Sequence, residues 1–304
     1  MEFFKQNTAI DFLALKKCTA VVSILLVLAS FIALGVKGLN WGLDFTGGTQ
    51  IQVSYAEAAD FNEIRGQLQQ AGYVATVQGV GAPQNALIRI PPLPEAQQKD
   101  LSQTLLKTLP GASIQHVEYI GPVVGETLTN NGLLALVVSL LATLIYVALR
   151  FEWRFALSGV IALLHDPIII LGVFAVFQIE FNLVALAALL TVIGYSLNDT
   201  IVIFDRIREN FRRVRTATAA EIVNLSVNQT LSRTVMTSGL TLLSVIALFL
   251  FGGEMLHGFS TALIIGIVVG TYSSIYIASV LAVALGINKA DLLPPPPMEL
   301  DDRP

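Results

Sequence analysis

Charge is scarce in this sequence. Asp, Glu, Lys and Arg make up 13% of its 304 residues, against 54% hydrophobic residues, whereas a soluble domain carries about 25% charged residues. That balance excludes an ordinary soluble globular protein. The single cysteine, Cys18, excludes an intrachain disulfide. A net charge of −4 with three histidines offers no basic stripe for a nucleic-acid partner. The one long hydrophilic segment has no metal-ligand cluster, nucleophile elbow or phosphate loop, so neither an enzyme activity nor a cofactor or metal is expected.

What the chain does have is six apolar runs, roughly Cys18–Val36, Gly132–Leu149, Phe155–Phe177, Phe181–Phe204, Val235–Phe251 and Phe259–Leu285. About 17 to 25 apolar residues are needed to cross a bilayer as a helix, and in lipid the backbone of each run must satisfy itself by being helical. The first run follows Lys16 and Lys17, and Gly35-Val36-Lys37-Gly38 has no small-residue cleavage pattern, so it is expected to stay as an uncleaved helix.

Basic residues in short loops set orientation. They cluster before the first run (Lys5, Lys16, Lys17), between the second and third (Arg150, Arg154), between the fourth and fifth (Arg206, Arg208, Arg212, Arg213, Arg215) and after the sixth (Lys289, Arg303). The intervening short connections, Gln178–Glu180 and Gly252–His257, carry none. Both termini are therefore expected in the cytoplasm, at 1–17 and 288–304, the latter a short tail with four consecutive prolines. Residues 37–128 are then exported.

Within that segment, Thr49–Tyr55 alternates like a strand, and Ala58–Ala71 places Phe61, Ile64 and Leu68 on one helical face. Tyr73–Val80 and Ala86–Ile90 read as two strands around a Gly-Ala-Pro-Gln-Asn turn, Pro94–Leu109 as a second helix, and Ser113–Tyr119 as a last strand. The order β-α-β-β-α-β suggests a ferredoxin-like unit. The expected fold class is thus a polytopic α-helical membrane protein with six transmembrane helices and one exported α+β domain between helices one and two.

Ionisable residues inside membrane helices are costly and mark functional candidates. Asp199 lies in "GYSLNDTIVIF", residues 194–204. At 100° per residue, Ser196 lies within about 60° of it and Asn198 and Thr200 about 100° to either side. So wide a polar arc must face protein or a water-filled cavity, unless Asp199 merely hydrogen-bonds a neighbouring helix. Arg233 precedes the fifth run, and Thr230, Arg233, Thr237, Thr241 and Ser244 form a stripe about 80° wide that normally lines a bundle interior. Asp199 and Arg233 then meet at similar depth. The plainer use of Arg233 is snorkelling to the interface from a helix end. His165-Asp166-Pro167 sits in the third run, where Pro167 frees the Leu163 carbonyl and favours a kink; the pair is either a hydrated site or packed polar support. Gly266, Gly270, Ser274, Ala278 and Ala282, spaced every four residues, allow close helix contact within the chain or with a partner. Gly42, Gly47 and Gly48 serve as turn residues and as a possible hinge at the entry to the exported domain.

"GLDFTGGTQIQV" (42–53), "ALLHDPIIILGVF" (162–174), "GYSLNDTIVIFDRIREN" (194–210), "NQTLSRTVMTSG" (228–239) and "FGGEMLHGFSTALIIGIVVGTYSSIYIAS" (251–279) together resemble the SecD/SecF family, on the side of its smaller member. The resemblance covers nearly the whole chain. It implies kinship with resistance–nodulation–division transporters, a SecD partner supplying six further helices, and use of the proton motive force to promote preprotein translocation across the bacterial inner membrane. It also implies the SecYEG translocon as a partner, with YajC and YidC beside it. It makes Asp199 the proton-relay carboxylate and Arg233 its essential arginine, with Asn198, Thr200, Ser196, Thr237, His165 and Asp166 in support. The coupling ion is H⁺, with Na⁺ left open. Pro167 departs from the expected pattern, which has a β-branched residue there. Two other functions stay open: half of a stand-alone small-molecule exporter, and a passive translocon scaffold.

Overall fold

A computed structural model of the chain describes residues 10–94, 98, 101–214 and 216–288. Lys5, Arg215, Lys289, Arg303, the four prolines and part of the Pro94–Leu109 segment lie outside the described residues.

Six helices are long and apolar enough to cross a membrane. They are α1 (Lys16–Val36), α5 (Pro122–Arg150), α6 (Trp153–Phe177), α7 (Leu183–Arg213), α8 (Ala219–Phe251) and a broken last span. That last span consists of α9 (His257–Tyr272), a π-turn (Ser273–Ala278) and α10 (Ser279–Ala284). Several helices outrun their apolar stretches. The 29 residues of α5 reach about 43 Å, beyond the ~30 Å of hydrocarbon. The polar ends of α7 and α8 form a hairpin in which Asn210 donates to Ser226 Oγ and Gln229 Oε1, both at 2.8 Å. A Thr218–Glu221 capping box starts α8. Asn224 and Asn228 accept from the backbone N–H groups of Phe12 and Ile10, pinning the entry to α1 against this hairpin.

Between α1 and α5 lie α2 (Leu43–Thr46), α3 (Phe61–Gln70), α4 (Leu101–Thr108) and four strands, β2 (Gly48–Ser54), β3 (Thr76–Gly79), β4 (Asn85–Ile90) and β5 (Ser113–Ile120). The sheet order is β3-β4-β2-β5 and every neighbouring pair is antiparallel. Ile51, Val53 and Ile88 bury against Ile64 and Leu68 of α3 and Leu101 and Leu105 of α4. The Asp60 carboxylate caps the Asn62 and Glu63 amides, so α3 opens at Phe61, the first residue of its apolar face, rather than at the expected Ala58.

The mixed region is fastened to the helical bundle. β1 (Asn40–Trp41) pairs in parallel with β6 (Glu180–Phe181), the two-residue strand between α6 and α7. Trp41, Phe45 and Phe174 pack around Phe181.

Candidate functional site

The site forms where α6, α7, α8 and the π-turn meet. Asp199 on α7 is buried at 3% exposure. One carboxylate oxygen takes a long contact, 3.5 Å, from Thr234 Oγ1 of α8. The other is buried with no hydrogen-bond partner among the described residues, which is costly for a carboxylate. Ser196, one turn earlier on α7, donates to Asp166 Oδ2 at 2.5 Å. Thr200 shares a hydroxyl bond of 2.8 Å with Ser274 of the π-turn. Asp166 is fully buried and well supplied, with Ser273 Oγ at 2.9 Å and His165 Nδ1 at 2.9 Å as further partners.

Arg233 departs from expectation. α8 begins at Ala219, so Arg233 lies about 21 Å inside the helix and cannot be an end residue. Its level is right, because its neighbour Thr234 touches Asp199. Its rotation is not. Of the expected stripe, Arg233, Thr237 and Ser244 are exposed, whereas Thr230 is buried and Thr241 meets Tyr195 of α7, so only part of it lines the interior of this chain. The buried row is Ser226, Thr230, Thr234 and Ser238, four residues apart, hydroxyls that satisfy themselves on their own helix or a neighbour as a guanidinium cannot. No hydrogen bond or ion pair joins Asp199 to Arg233 among the described residues. Arg233 instead lines an open cavity of about 660 Å³ between α7 and α8, with Asn198, Asp205, Arg206, Glu209 and Gln229.

Thr234, which touches Asp199, and Ser238, which bonds Thr271 of α9, were missed by reading the stripe through Arg233; their spacing from Ser226 and Thr230 was the available signal. The small-residue ladder packs inside the chain. A Cβ on Gly266 would collide with Val192 of α7, and one on Gly270 would meet Ser196 Cβ at 3.0 Å. Gly47 and Gly48 have φ of 65° and 115°, turning the chain from α2 into β2. Gly42 has an extended backbone and is small for another reason: a Cβ there would stand 2.8 Å from that of Asn182.

Asp44, between these glycines, was not picked out from the sequence. Its Oδ2 accepts from the Leu183 backbone N–H at 2.7 Å, and Asn182 Oδ1 accepts from Ala185 at 2.9 Å. The mixed region therefore supplies one cap of the helix that carries Asp199. Arg89 of β4 pairs with Glu180 beside it. Burial pushes the Glu180 carboxyl above its usual range, outweighing the pull of Arg89, and the nearby Asp44 charge raises it further.

Residues 100–288 match the family model described as protein export membrane protein SecD/SecF, C-terminal, and residues 32–59 match the SecD/SecF GG motif. The chain belongs to the SecD/SecF family. The protein translocase subunit SecF of Vibrio alginolyticus is 50% identical over 97% of this chain and 95% of that protein. The SecF of Pseudomonas aeruginosa is 46% identical over 97% and 98%. Among solved structures, SecDF of Thermus thermophilus, a translocon-associated membrane protein, superposes with a TM-score of 0.85 at 38% identity. That match covers 93% of this chain but 39% of the SecDF chain. A SecDF structure in a super-membrane-facing form gives 0.67 at 39% identity, over 91% of this chain and 39% of that one. The SecD/SecF GG-motif match takes in Gly47, Gly48 and Asp44, the residues that turn into β2 and cap α7.

Proposed function

We propose that the chain is an accessory subunit of bacterial Sec protein export, working with a SecD partner in the inner membrane to couple proton movement to preprotein translocation. Asp199 binds the proton, and Arg233 is the cation whose approach and withdrawal set its charge. The observation that carries this reading is the buried carboxylate of Asp199, one oxygen of which has no hydrogen-bond partner among the described residues, close to the level of Arg233, which lines the open cavity between α7 and α8. A carboxylate with one unmet acceptor and a cation near its level but not bonded to it is built to change partners.

The exposed face of α8 supports a helical partner. It presents Arg233 and Thr237 alongside Leu240 and Leu243, and an arginine facing lipid deep in a helix is costly. That favours a paired subunit over a stand-alone exporter half. The sheet order β3-β4-β2-β5, antiparallel throughout, supports a ferredoxin-like reading of the exported domain, placed on the extracytoplasmic side with both termini in the cytoplasm. The SecYEG translocon and an unfolded preprotein are the remaining partners of this reading, which assigns no covalent step to the chain. Its test is preprotein export into membrane vesicles with and without a proton gradient, at matched protein abundance. Asp199→Asn and Arg233→Met are each expected to abolish the gradient-dependent stimulation while leaving basal export. Full stimulation in Asp199→Asn would favour the passive scaffold instead.

A further inference from the structure

Asp166 is a second carboxylate deep in the bundle, and the coupling described above does not use it. It is 0% exposed, and its partners are two serine hydroxyls and His165, with no lysine or arginine among them. His165 is 6% exposed, and its Nε2 is buried with no partner among the described residues. With a carboxylate and a neutral imidazole, the pair would carry one uncompensated negative charge in a low-dielectric core, which is strongly disfavoured. One added proton makes the pair neutral, whether it rests on the carboxyl or on the ring.

The location gives this proton a use. α7 starts at the end capped by Asp44 of the mixed region. Ser196, which holds Asp166, precedes Asp199 by three residues, about 4.5 Å along the helix, so the His165–Asp166 pair lies on the exported-domain side of Asp199. The π-turn bridges the two levels. Its consecutive serines divide the work, Ser273 donating to Asp166 at 2.9 Å and Ser274 bonding Thr200 Oγ1 at 2.8 Å and the Ser196 carbonyl at 3.3 Å. π-turns inside membrane-length helices recur at functional sites. The other titratable groups nearby are turned elsewhere. Tyr272 of α9, its ring 6.4 Å from His165, gives its hydroxyl to the Thr19 carbonyl of α1, while Tyr195 of α7 points to Ser238 and Thr241 of α8.

We propose that His165 and Asp166 form a second proton-holding site, which accepts a proton from the exported-domain side and gives it up to Asp199 through the hydroxyl of Ser196, which bonds Asp166 in the present arrangement and turns toward Asp199, one turn along the same helix, to pass it on. In the transfer one proton leaves the pair and one arrives on the Asp199 carboxylate; nothing is oxidised or reduced. The proposal rests on the reading of Asp199 as a proton-binding residue.

The test uses the chain reconstituted with its SecD partner in proteoliposomes, reading proton flux from the exported-domain side together with infrared difference spectra over a pH step. Asp166→Asn keeps an acceptor for the serines and a donor for His165, so thermal unfolding should be unchanged. Flux should fall at least tenfold, and the carboxyl or imidazole bands of the pair should vanish while those of Asp199 remain. Ser196→Ala should keep the pair's bands and still slow the flux. Asp199→Asn should remove its own band and leave the pair's intact. Unchanged flux and unchanged bands in Asp166→Asn would overturn the proposal, as would a lowered unfolding temperature with normal flux per folded protein. Unchanged flux in Asp199→Asn would instead overturn the underlying assignment.

Discussion

Replacing Asp44 with alanine tests whether the mixed α/β region holds the helix that carries Asp199. Asp44 Oδ2 accepts the Leu183 N–H at 2.7 Å, at a helix end where four amides lack intrahelical partners. Loss of an N-cap costs about 0.5–2 kcal/mol, and a charged acceptor belongs at the upper end of that range. Asn182 still serves Ala185 at 2.9 Å, so α7 keeps one cap and should not unravel further. The expected cost is about 1.5–2 kcal/mol, or roughly 10- to 30-fold in the local opening equilibrium. Amide hydrogen exchange in lipid nanodiscs reads this directly. The Leu183 amide, together with Gly42, whose N–H donates to the Phe181 carbonyl at 2.9 Å, should exchange about 10- to 30-fold faster. Amides of the β2–β4 ladder should not change, because their bonds lie wholly within the sheet. Asp44→Asn keeps an acceptor and should show less than half the effect in free energy. Unchanged exchange at Leu183 in Asp44→Ala would refute the capping argument, and uniform acceleration across the sheet would show a global loss of fold instead.

The same junction should depend on pH through Glu180. Its carboxyl is raised by burial, so its contribution is full below about pH 4.3, the ordinary glutamate value, and is lost as pH rises through the raised value. Exchange at Gly42, corrected for intrinsic rate, should therefore quicken from pH 4 upward in the wild type and stay flat in Glu180→Gln, at the low-pH wild-type level. Gly48→Ala should cost at least about 2 kcal/mol, since it forces a side chain into φ 115° and against the Ile90 carbonyl; denaturant unfolding followed in the four-stranded sheet would show it. Gly172→Ala on α6 would bring a Cβ to 2.7 Å from Ser30 Cα of α1 and should lower stability by about 1–3 kcal/mol. Ser30→Gly should recover part of that loss in thermal unfolding.

The six long helices were legible because each is an apolar run, and the strand order of the segment between the first two because its residues alternate. Helix ends were not. The polar starts of α5 and α8 are helical because Pro122 stands at N1 and the Thr218–Glu221 box caps the other, and hydropathy is blind to both. At the site, Asp199 and its serine and threonine neighbours were readable from helical angles. The rotation of α8 was not, because an arginine within a polar stripe can face a cavity, a partner or lipid, and only packing decides among them. The row Ser226, Thr230, Thr234, Ser238 competes with the stripe through Arg233, and it is buried because small hydroxyls find backbone carbonyls one turn back, as Thr230 does with Ser226 at 3.0 Å. Asp44 was hidden for another reason: its partner, the Leu183 amide, is 139 residues away.

The central claim is that Asp199 takes up and releases the transported proton. The most direct measurement is proton flux through proteoliposomes holding the chain with its SecD partner, for wild type and Asp199→Asn with equal amounts of folded protein. The account predicts that the isosteric amide abolishes flux and leaves the unfolding temperature unchanged. Flux equal to wild type in Asp199→Asn would contradict it.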